Sequence, residues 1–389
     1  MSFQGVDFLN IDSQLQEEER ITRDKIREFV DAQIIPGIEE HFEAHTFPDE
    51  IVPKLGAQGL LGPFVPERYG GSDSSYVVYG LICQELERGD SGVRSFCSVQ
   101  SSLVMFPIWK FGDEEQRMKW LPRLAAGEAI GCFGLTEPDF GSNPGGMLTR
   151  AKRDGDAYVL NGTKRWITNA DIADVCIVWA KDDDDQIGAF LVEKGTPGLE
   201  QVEIKRKYSL RASHTGELVM EDCRIPVANR LPDAVGLKAA LMCLNSARYG
   251  IIWGALGAAM ACYDVALSYA KDRVQFSRPI AGYQMIQEQL VKMLTEISKG
   301  QLLALHIGRL QDAGTGRHVH VSMGKMNNVR MAIEIARSAR ELLGANGITS
   351  EYPIIRHMLN LESVLTYEGT ENMHKLIIGK DITGLAAFE

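Results

Sequence analysis

The sequence predicts a mostly helical α+β protein made of a helical amino-terminal domain, a middle β domain and a carboxy-terminal four-helix bundle. Three observations carry that reading. Apolar residues recur at helical spacing through the first third of the chain. From about Ile130 short strand-like runs replace them, and after Pro232 three long segments without proline return to helical spacing. The boundaries fall at residues 1–128, 129–232 and 233–389.

In chain order, Ser13 with Gln16 three residues on makes a capping box. Ile26, Phe29, Val30 and Ile34 follow at helical spacing until Pro36 and Gly37 end the segment. Further helices are predicted over residues 76–87 and 114–126, with prolines at 48, 53, 63 and 66 marking the connections. In the middle, residues 158–160 and 164–168 flank Asn161-Gly162, which predicts a hairpin turning at that dipeptide. Strands are expected over 175–180, 187–192 and 218–220. The acid run Asp182 to Asp185 is read as a solvated hairpin tip rather than a cation site. The last segment predicts helices over 237–271, 284–311 and 319–343, with a shorter one over 371–383.

With 389 residues, 45% apolar and 24% charged, the chain can bury a large core without a metal or disulfide staple. Lys plus Arg number 41 against 52 Asp plus Glu, a net charge of −11, which argues against a nucleic-acid partner. Seven scattered cysteines never form C-x-x-C, so neither a zinc site nor a disulfide framework is expected. The start MSFQGVDFLNIDSQLQEEER has no signal- or transit-peptide character, so a cytoplasmic protein is expected, or a matrix protein if the chain is a processed one. The longest uncharged stretch tested, residues 249–263, is shorter than the ~18 residues a membrane span needs.

No Walker loop, no G-x-G-x-x-G after a strand, no G-x-S-x-G and no H-E-x-x-H occurs. That leaves open a flavin held by scattered contacts. Three segments stand out. Residues 131–146 are rich in Gly, Pro, Ser and Thr, which suits either a ligand-approaching backbone or a structural loop. Trp166-Ile167-Thr168 places an aromatic at a strand end, either to stack on a flat ring or to fill the core. Thr366-Tyr367-Glu368-Gly369-Thr370 sets a carboxylate on a connection between helices. Desolvation there would make Glu368 a useful base, and the alternative is a helix-initiating acid. His318 and His320 read as surface residues.

At these segments the chain resembles the acyl-CoA dehydrogenase family. C-F-G-L-T-E-P-D-F-G-S-N-P-G-G from Cys132, W-I-T-N from Trp166, R-V-Q-F-S-R-P-I from Arg273, L-L-G-A-N-G-I from Leu342 and Y-E-G-T from Tyr367 keep the family's order and spacing. Within it the chain looks most like the branch that acts on glutaryl-CoA, through E-R-G-D-S-G-V-R-S from Glu87, S-V-Q-S-S-L-V-M from Ser98, L-N-S-A-R-Y-G from Leu244 and I-T-G-L-A-A-F from Ile382. The resemblance implies a middle β-barrel between the two helical domains, a homotetramer built as a dimer of dimers, and FAD bound without a covalent link.

The family's functional positions carry over residue by residue. Phe133, Gly134, Leu135, Thr136, Gly141 and Ser142, with Trp166, Ile167 and Thr168, match positions that line the flavin. Arg273, Phe276, Gln284, Glu341, Leu342, Leu343, Gly344 and Ala345 match those that hold the nucleotide half, in relatives across a dimer interface. Thr370, Glu371, Asn372 and Phe388 complete the cofactor set. Leu241, Leu244, Asn245 and Arg248 match the stretch facing the CoA portion, which Ser142 also reaches, while Ser95, Ser98 and Gly369 fall on the acyl side.

The resemblance makes Glu368 the base that takes the α-proton while hydride leaves the β-carbon for the flavin. Arg94 would anchor the far carboxylate of a dicarboxylyl thioester through paired, charge-assisted hydrogen bonds, the alternative being a helix arginine paired with Glu87 or Asp90. Tyr367 and Glu87 match the decarboxylating pattern, so the implied reaction converts glutaryl-CoA to crotonyl-CoA and carbon dioxide, a step of lysine and tryptophan degradation. Electron-transfer flavoprotein is the implied acceptor. Two other readings stand beside it: oxidation of short or branched acyl-CoA without decarboxylation, and a non-catalytic CoA- or flavin-binding protein.

Overall fold

The helical spacing of the first third becomes a run of helices in the computed structural model, which describes residues 3–387. They are α1 (Glu17–Gln33), α2 (Ile35–Ala44), α3 (Val52–Ala57), α4 (Tyr76–Gly89), α5 (Ser91–Ser98), α6 (Phe106–Phe111) and α7 (Glu114–Ala125). The capping box of α1 lies three residues beyond Ser13. Gln16 is the cap and exchanges bonds with Glu19, while the Ser13 hydroxyl donates to Asn10 O at 2.7 Å inside a preceding turn. Tertiary structure decides between the two, because the buried Glu19 carboxylate also receives Arg309 from the far end of the chain. Pro36 stands in the first turn of α2, where its missing N–H costs nothing.

Helices α5 and α6 are joined by a π-helical stretch, Val99–Met105, that periodicity did not reveal. Every residue of α5 and of that stretch is buried, so no polar face alternates with an apolar one. Inside the stretch, Gln100 accepts from Gly131 N at 2.9 Å and donates to Leu124 O and Ala129 O. It thereby ties the helical domain to the first strand.

The middle of the chain forms β1 (Gly131–Gly134), β2 (Arg150–Asp154), β3 (Ala157–Thr168), β4 (Val175–Lys181), β5 (Ile187–Glu193), β6 (Leu199–Glu203), β7 (Thr215–Pro226) and β8 (Arg230–Val235). They make one mixed sheet in the order β6-β7-β3-β2-β4-β5-β8, with β1 lying parallel to β4. Asn161-Gly162 does not turn the chain. β3 runs straight through it, and the hairpin turns instead after Asp154, opposite Ala157. The dipeptide is a bulge facing β7, where Asn161 accepts from Asp222 N at 2.8 Å and Gly162 adopts φ 147°. A Cβ on Gly162 would lie 2.5 Å from the Thr149 hydroxyl oxygen. The chemistry that favours Asn-Gly in a turn, tolerance of positive φ, serves a bulge equally. The acid run closes the β4–β5 turn: Asp182 accepts from the N–H groups of Asp184 and Gln186 and from Arg230.

Beyond it come α8 (Gly236–Asp272), the short β9 (Val274–Gln275) and β10 (Arg278–Pro279), α9 (Gln284–Asp312), α10 (His318–Leu342), α11 (Ile354–Thr366) and α12 (Glu371–Thr383). Helix α11, which the sequence reading did not delimit, leads into the segment bearing Glu368. Helix α8 is long and apolar enough to cross a membrane, yet 78% of its most apolar window is buried among its neighbours. It packs on α4 closely enough that a Cβ on Gly254 would lie 2.0 Å from Glu87 Oε2. Glycine there makes room for a buried charge pair beside the site.

Candidate active site

A cavity of about 1480 Å³ opens between the sheet and the bundle. It gathers most of the sequence-selected residues. From α5 and its π-helical extension come Ser95, Val99 and Leu103, four residues apart on one face. From α8 come Leu241, Leu244, Asn245 and Arg248, again one face. The loop between α11 and α12 supplies Tyr367, Glu368, Gly369 and Thr370. Opposite them, β1 and the loop after it present Phe133, Leu135, Thr136, Gly141 and Ser142, and β3 ends in Trp166, Ile167 and Thr168.

The β-side wall is open. A second bulge in β3, between Arg165 and Ile167, turns Trp166 to φ 62° and leaves it 57% exposed, so it is not a core tryptophan. Beyond its chain neighbours, no atom of the described residues lies within 4 Å of where a Cβ on Gly141 would sit. Gly134 lies just behind, buried in β1 between Leu218 and Lys164. The loop is stapled by Glu137, which the sequence reading left without a role. Its carboxylate accepts from Leu148 N (2.6 Å), Thr149 N (2.9 Å), the Thr149 hydroxyl (2.6 Å) and Lys164 Nζ (2.9 Å). Burial pushes that carboxyl up, but the four donors outweigh it and hold it at about 2. Lys164, fully buried, is pushed down to about 8 by desolvation.

Behind the bundle-side wall lies a buried charge cluster, whose members Glu87 and Arg94 do not themselves line the cavity. Glu87 and Arg94 form a wholly buried pair, with Arg94 Nε donating to Glu87 Oε2 at 2.5 Å. Ser91 donates to the other oxygen of Glu87 at 2.9 Å. Arg94 Nη2 donates to the Tyr367 hydroxyl, while Nη1 is buried without a partner among the described residues. The helix-arginine alternative is therefore half realised: Arg94 pairs with Glu87 yet keeps a free edge. Ser98 lies deeper, its hydroxyl against Tyr79. Burial lowers the Arg94 guanidinium, and Glu87 and Tyr367 more than offset it, so it stays charged.

Glu368 sits beside this group at φ 51°, with Oε2 buried and without a partner among the described residues. Desolvation raises its pKa, and Arg94, Lys325 and Arg248 restrain the rise. Lys325, in the middle of α10, is the residue that sequence reasoning missed. A lone lysine in a helix reads as solvent-facing, whereas this one is 2% exposed and donates to Tyr367 O and Gly369 O. His374, one turn into α12, is buried with neither ring nitrogen partnered among the described residues and is held neutral, at about 3, by burial and by Lys325 and Arg248.

Not every selected residue reaches the cavity. Glu371 is engaged by Arg330 and Lys375 on the first turn of α12, and neighbouring Asn372 is exposed. Arg273, Phe276, Gln284, Glu341, Gly344 and Ala345 are exposed, and Leu342 and Leu343 are buried beneath them. They lie toward the other end of the bundle: Arg273 is about 37 Å along α8 from Arg248, at ~1.5 Å per residue. Asn346 bonds to Tyr269 one turn before Arg273, which brings the two stretches together. Phe388 lies outside the described residues.

The chain is similar to known proteins along nearly its whole length. Residues 16–128, 132–223 and 234–383 match the N-terminal, middle and C-terminal domain models of acyl-CoA dehydrogenase. The chain is 54% identical to a glutaryl-CoA dehydrogenase from Mycobacterium smegmatis, solved in complex with FADH2, with a TM-score of 0.97 over 99% of both chains. It is 38% identical to an acyl-CoA dehydrogenase of Bacillus subtilis over 95% of this chain and 98% of that one. It is also 36% identical to the human mitochondrial short-chain specific acyl-CoA dehydrogenase, over 94% of this chain and 90% of that protein.

Proposed function

The chain belongs to the acyl-CoA dehydrogenase family, and from that premise we propose that it oxidises glutaryl-CoA with FAD and decarboxylates the product to crotonyl-CoA and carbon dioxide. The observation that carries the substrate assignment is Arg94, a buried guanidinium beside Glu368 with one edge free of any partner among the described residues. A buried donor left unpaired is costly, and a carboxylate on the far end of a short acyl chain would satisfy it with a charge-assisted bond. The M. smegmatis glutaryl-CoA dehydrogenase, at 54% identity, supports the same reading.

The β-side wall fits an isoalloxazine ring: an exposed Trp166, the hydroxyls of Thr136 and Thr168, and an open backbone at Gly141 surround space large enough for it. Ser142 and Ile167 extend that wall. Bound FAD supplies the acceptor for the hydride that leaves the β-carbon. The chain's own residues do the rest. Leu241, Leu244 and Asn245 form the channel along which the CoA arm would lie, with Ser95 and Gly369 at the acyl end. The backbone N–H of Glu368 stabilises the thioester oxygen as negative charge develops. The carboxylate of Glu368, poorly solvated, takes the α-proton. Loss of carbon dioxide leaves a carbanion spread into the thioester, and protonated Glu368 returns its proton to the far carbon.

The exposed residues near Arg273 and Glu341 support a further part of the proposal, that they complete the nucleotide site of a second subunit within a homotetramer. Electron-transfer flavoprotein is the proposed acceptor. A second reading, oxidation of a short unsubstituted acyl-CoA, is favoured by the 36% identity to the human short-chain enzyme. Anaerobic titration decides between them. Glutaryl-CoA should bleach the flavin and release carbon dioxide in step, whereas bleaching by butyryl-CoA alone would assign the short-chain activity.

A further inference from the structure

The segment bearing Glu368 is gripped by its carbonyl oxygens. Arg248 Nε donates to Glu368 O at 2.6 Å, and Lys325 Nζ donates to Tyr367 O at 2.5 Å and to Gly369 O at 2.6 Å. Three successive carbonyls therefore meet two cations, one from α8 and one from α10. A trans peptide sets its N–H opposite its C=O, so turning the carbonyl of Tyr367 toward Lys325 aims the N–H of Glu368 away from it. Positive φ at both Glu368 (51°) and Gly369 (94°) is the backbone consequence. The turn has little freedom to relax, since a Cβ on Gly369 would lie 3.2 Å from Arg248 Nη2 and 3.2 Å from His374 Nε2. Strained backbone of this kind persists only where its surroundings over-determine it.

We propose that Lys325 is a positioning residue for the oxidation step, clamping the two carbonyls that flank Glu368 and so fixing both its carboxylate and its N–H toward the thioester. This rests on the reading of Glu368 as the base. The groups facing Lys325 are Glu368 and Tyr367 of the loop, Arg94 of α5, Arg248 of α8 and His374 of α12. Arg94 and Arg248 stay charged, His374 stays neutral, and burial pushes the Tyr367 hydroxyl up. Lys325 is pushed down by burial to about 7, while burial raises the Glu368 carboxyl above its ordinary value. The lysine cation pulls the carboxyl of Glu368 down, and its loss should move the acid limb of the rate profile to higher pH.

The test uses the FAD-loaded enzyme with glutaryl-CoA and butyryl-CoA. Lys325→Met should lower kcat by about 100-fold, the scale of a small misplacement of a reacting group, with KM changed less than about threefold. Its acid limb should rise by about one pH unit. Lys325→Arg, which keeps donors and charge, should recover at least about tenfold of the lost kcat and restore the limb. Wild-type kcat with an unmoved limb in Lys325→Met overturns the proposal, as does a fall in kcat with an unmoved limb and no recovery in the arginine variant. If Lys325→Met yields no yellow holoenzyme, Lys325→Gln decides by the same two readouts. Glu368→Gln is run alongside: if it still reduces the flavin, the base assignment itself fails, whereas a dead Glu368→Gln beside an unaffected Lys325→Met removes the clamp alone.

Discussion

On the bundle side of the cavity, the residue 366–370 loop sits among the cations Arg94, Arg248 and Lys325, all turned inward from helices. On the β side, Trp166, Thr136 and Gly141 face the same space from bulged and irregular backbone, and the charge that holds them, Glu137 with Lys164, is buried behind the loop. The contrast teaches where electrostatics is used. One wall gathers buried charge around Glu368, the proposed base, where low dielectric makes each group strong. The other uses charge only as a staple and leaves neutral, open backbone for a large flat ligand.

The largest effect should come from the centre of the charged wall. Glu368→Gln keeps the shape but accepts no proton, so flavin reduction should fall at least ~1000-fold with flavin content unchanged. In the wild type, kcat/KM should decline on acidification through a pKa above the ~4.3 of an ordinary glutamate, because burial raises this one. Near wild-type reduction in the variant would place the base elsewhere.

Next comes the staple. Glu137→Gln leaves the Lys164 ammonium buried without its counter-charge, a change that costs about 3–5 kcal/mol. Thermal unfolding should begin about 5 K lower or FAD should be lost on gel filtration, while Glu137→Gln combined with Lys164→Met should regain part of the loss. Because the Glu137 carboxyl is depressed to about 2, its contribution is present above the unfolded-state value near ~4.3 and disappears as pH falls through about 2. Equal stability of wild type and Glu137→Gln at neutral pH would show that the loop does not depend on the staple.

Arg94→Met sharpens the comparison further, because it separates substrate from scaffold. Removing a bond to a charged group costs about 1.5–3 kcal/mol, so glutaryl-CoA turnover should fall at least ~10-fold. Butyryl-CoA carries no distal charge and should be oxidised at a rate little changed, so the ratio of the two rates is the quantity to measure. Equal losses would mean that Arg94 serves the Glu87 pair alone. Smallest of all is the neutral wall's aromatic: Trp166→Ala should weaken FAD binding by about 2- to 12-fold, the worth of one aromatic contact, without moving the pH profile. A moved profile would erase the division of labour between the walls.

Much of this could be read from the chain before folding. The long proline-free helices α8, α9 and α10 appear within a residue or two of the sequence reading: α9 and α10 each bury a stripe that repeats at helical spacing, while α8, buried on every side from Tyr249 to Met260, is marked by its long run without proline. The Y-E-G-T, W-I-T-N and C-F-G-L-T-E-P-D segments, widely separated in sequence, marked the residues that meet at the cavity. What failed were local rules applied where a distant partner decides. Asn161-Gly162 satisfies hairpin chemistry, but the partner strand β7 makes it a bulge. Ser13 satisfies a capping rule, but Arg309 favours the box at Gln16 by engaging Glu19.

The same logic separates the two kinds of functional residue. Glu368 could be selected from sequence because its neighbours, Tyr367 and Gly369, are local and compositionally odd. Lys325 could not, since nothing within a turn of it on α10 indicates that its ammonium is buried; its partners are carbonyls more than forty residues away. Nor could sequence show that Arg94 spends two edges on Glu87 and Tyr367 and keeps one free. Residue types, and hence the chemistry available, are properties of the chain. Which of those groups lose their water, and which charge then faces which, are set only when α5, α8, α10 and the 366–370 loop close on one another, because desolvation and Coulomb energy depend on distances between segments that sequence does not contain.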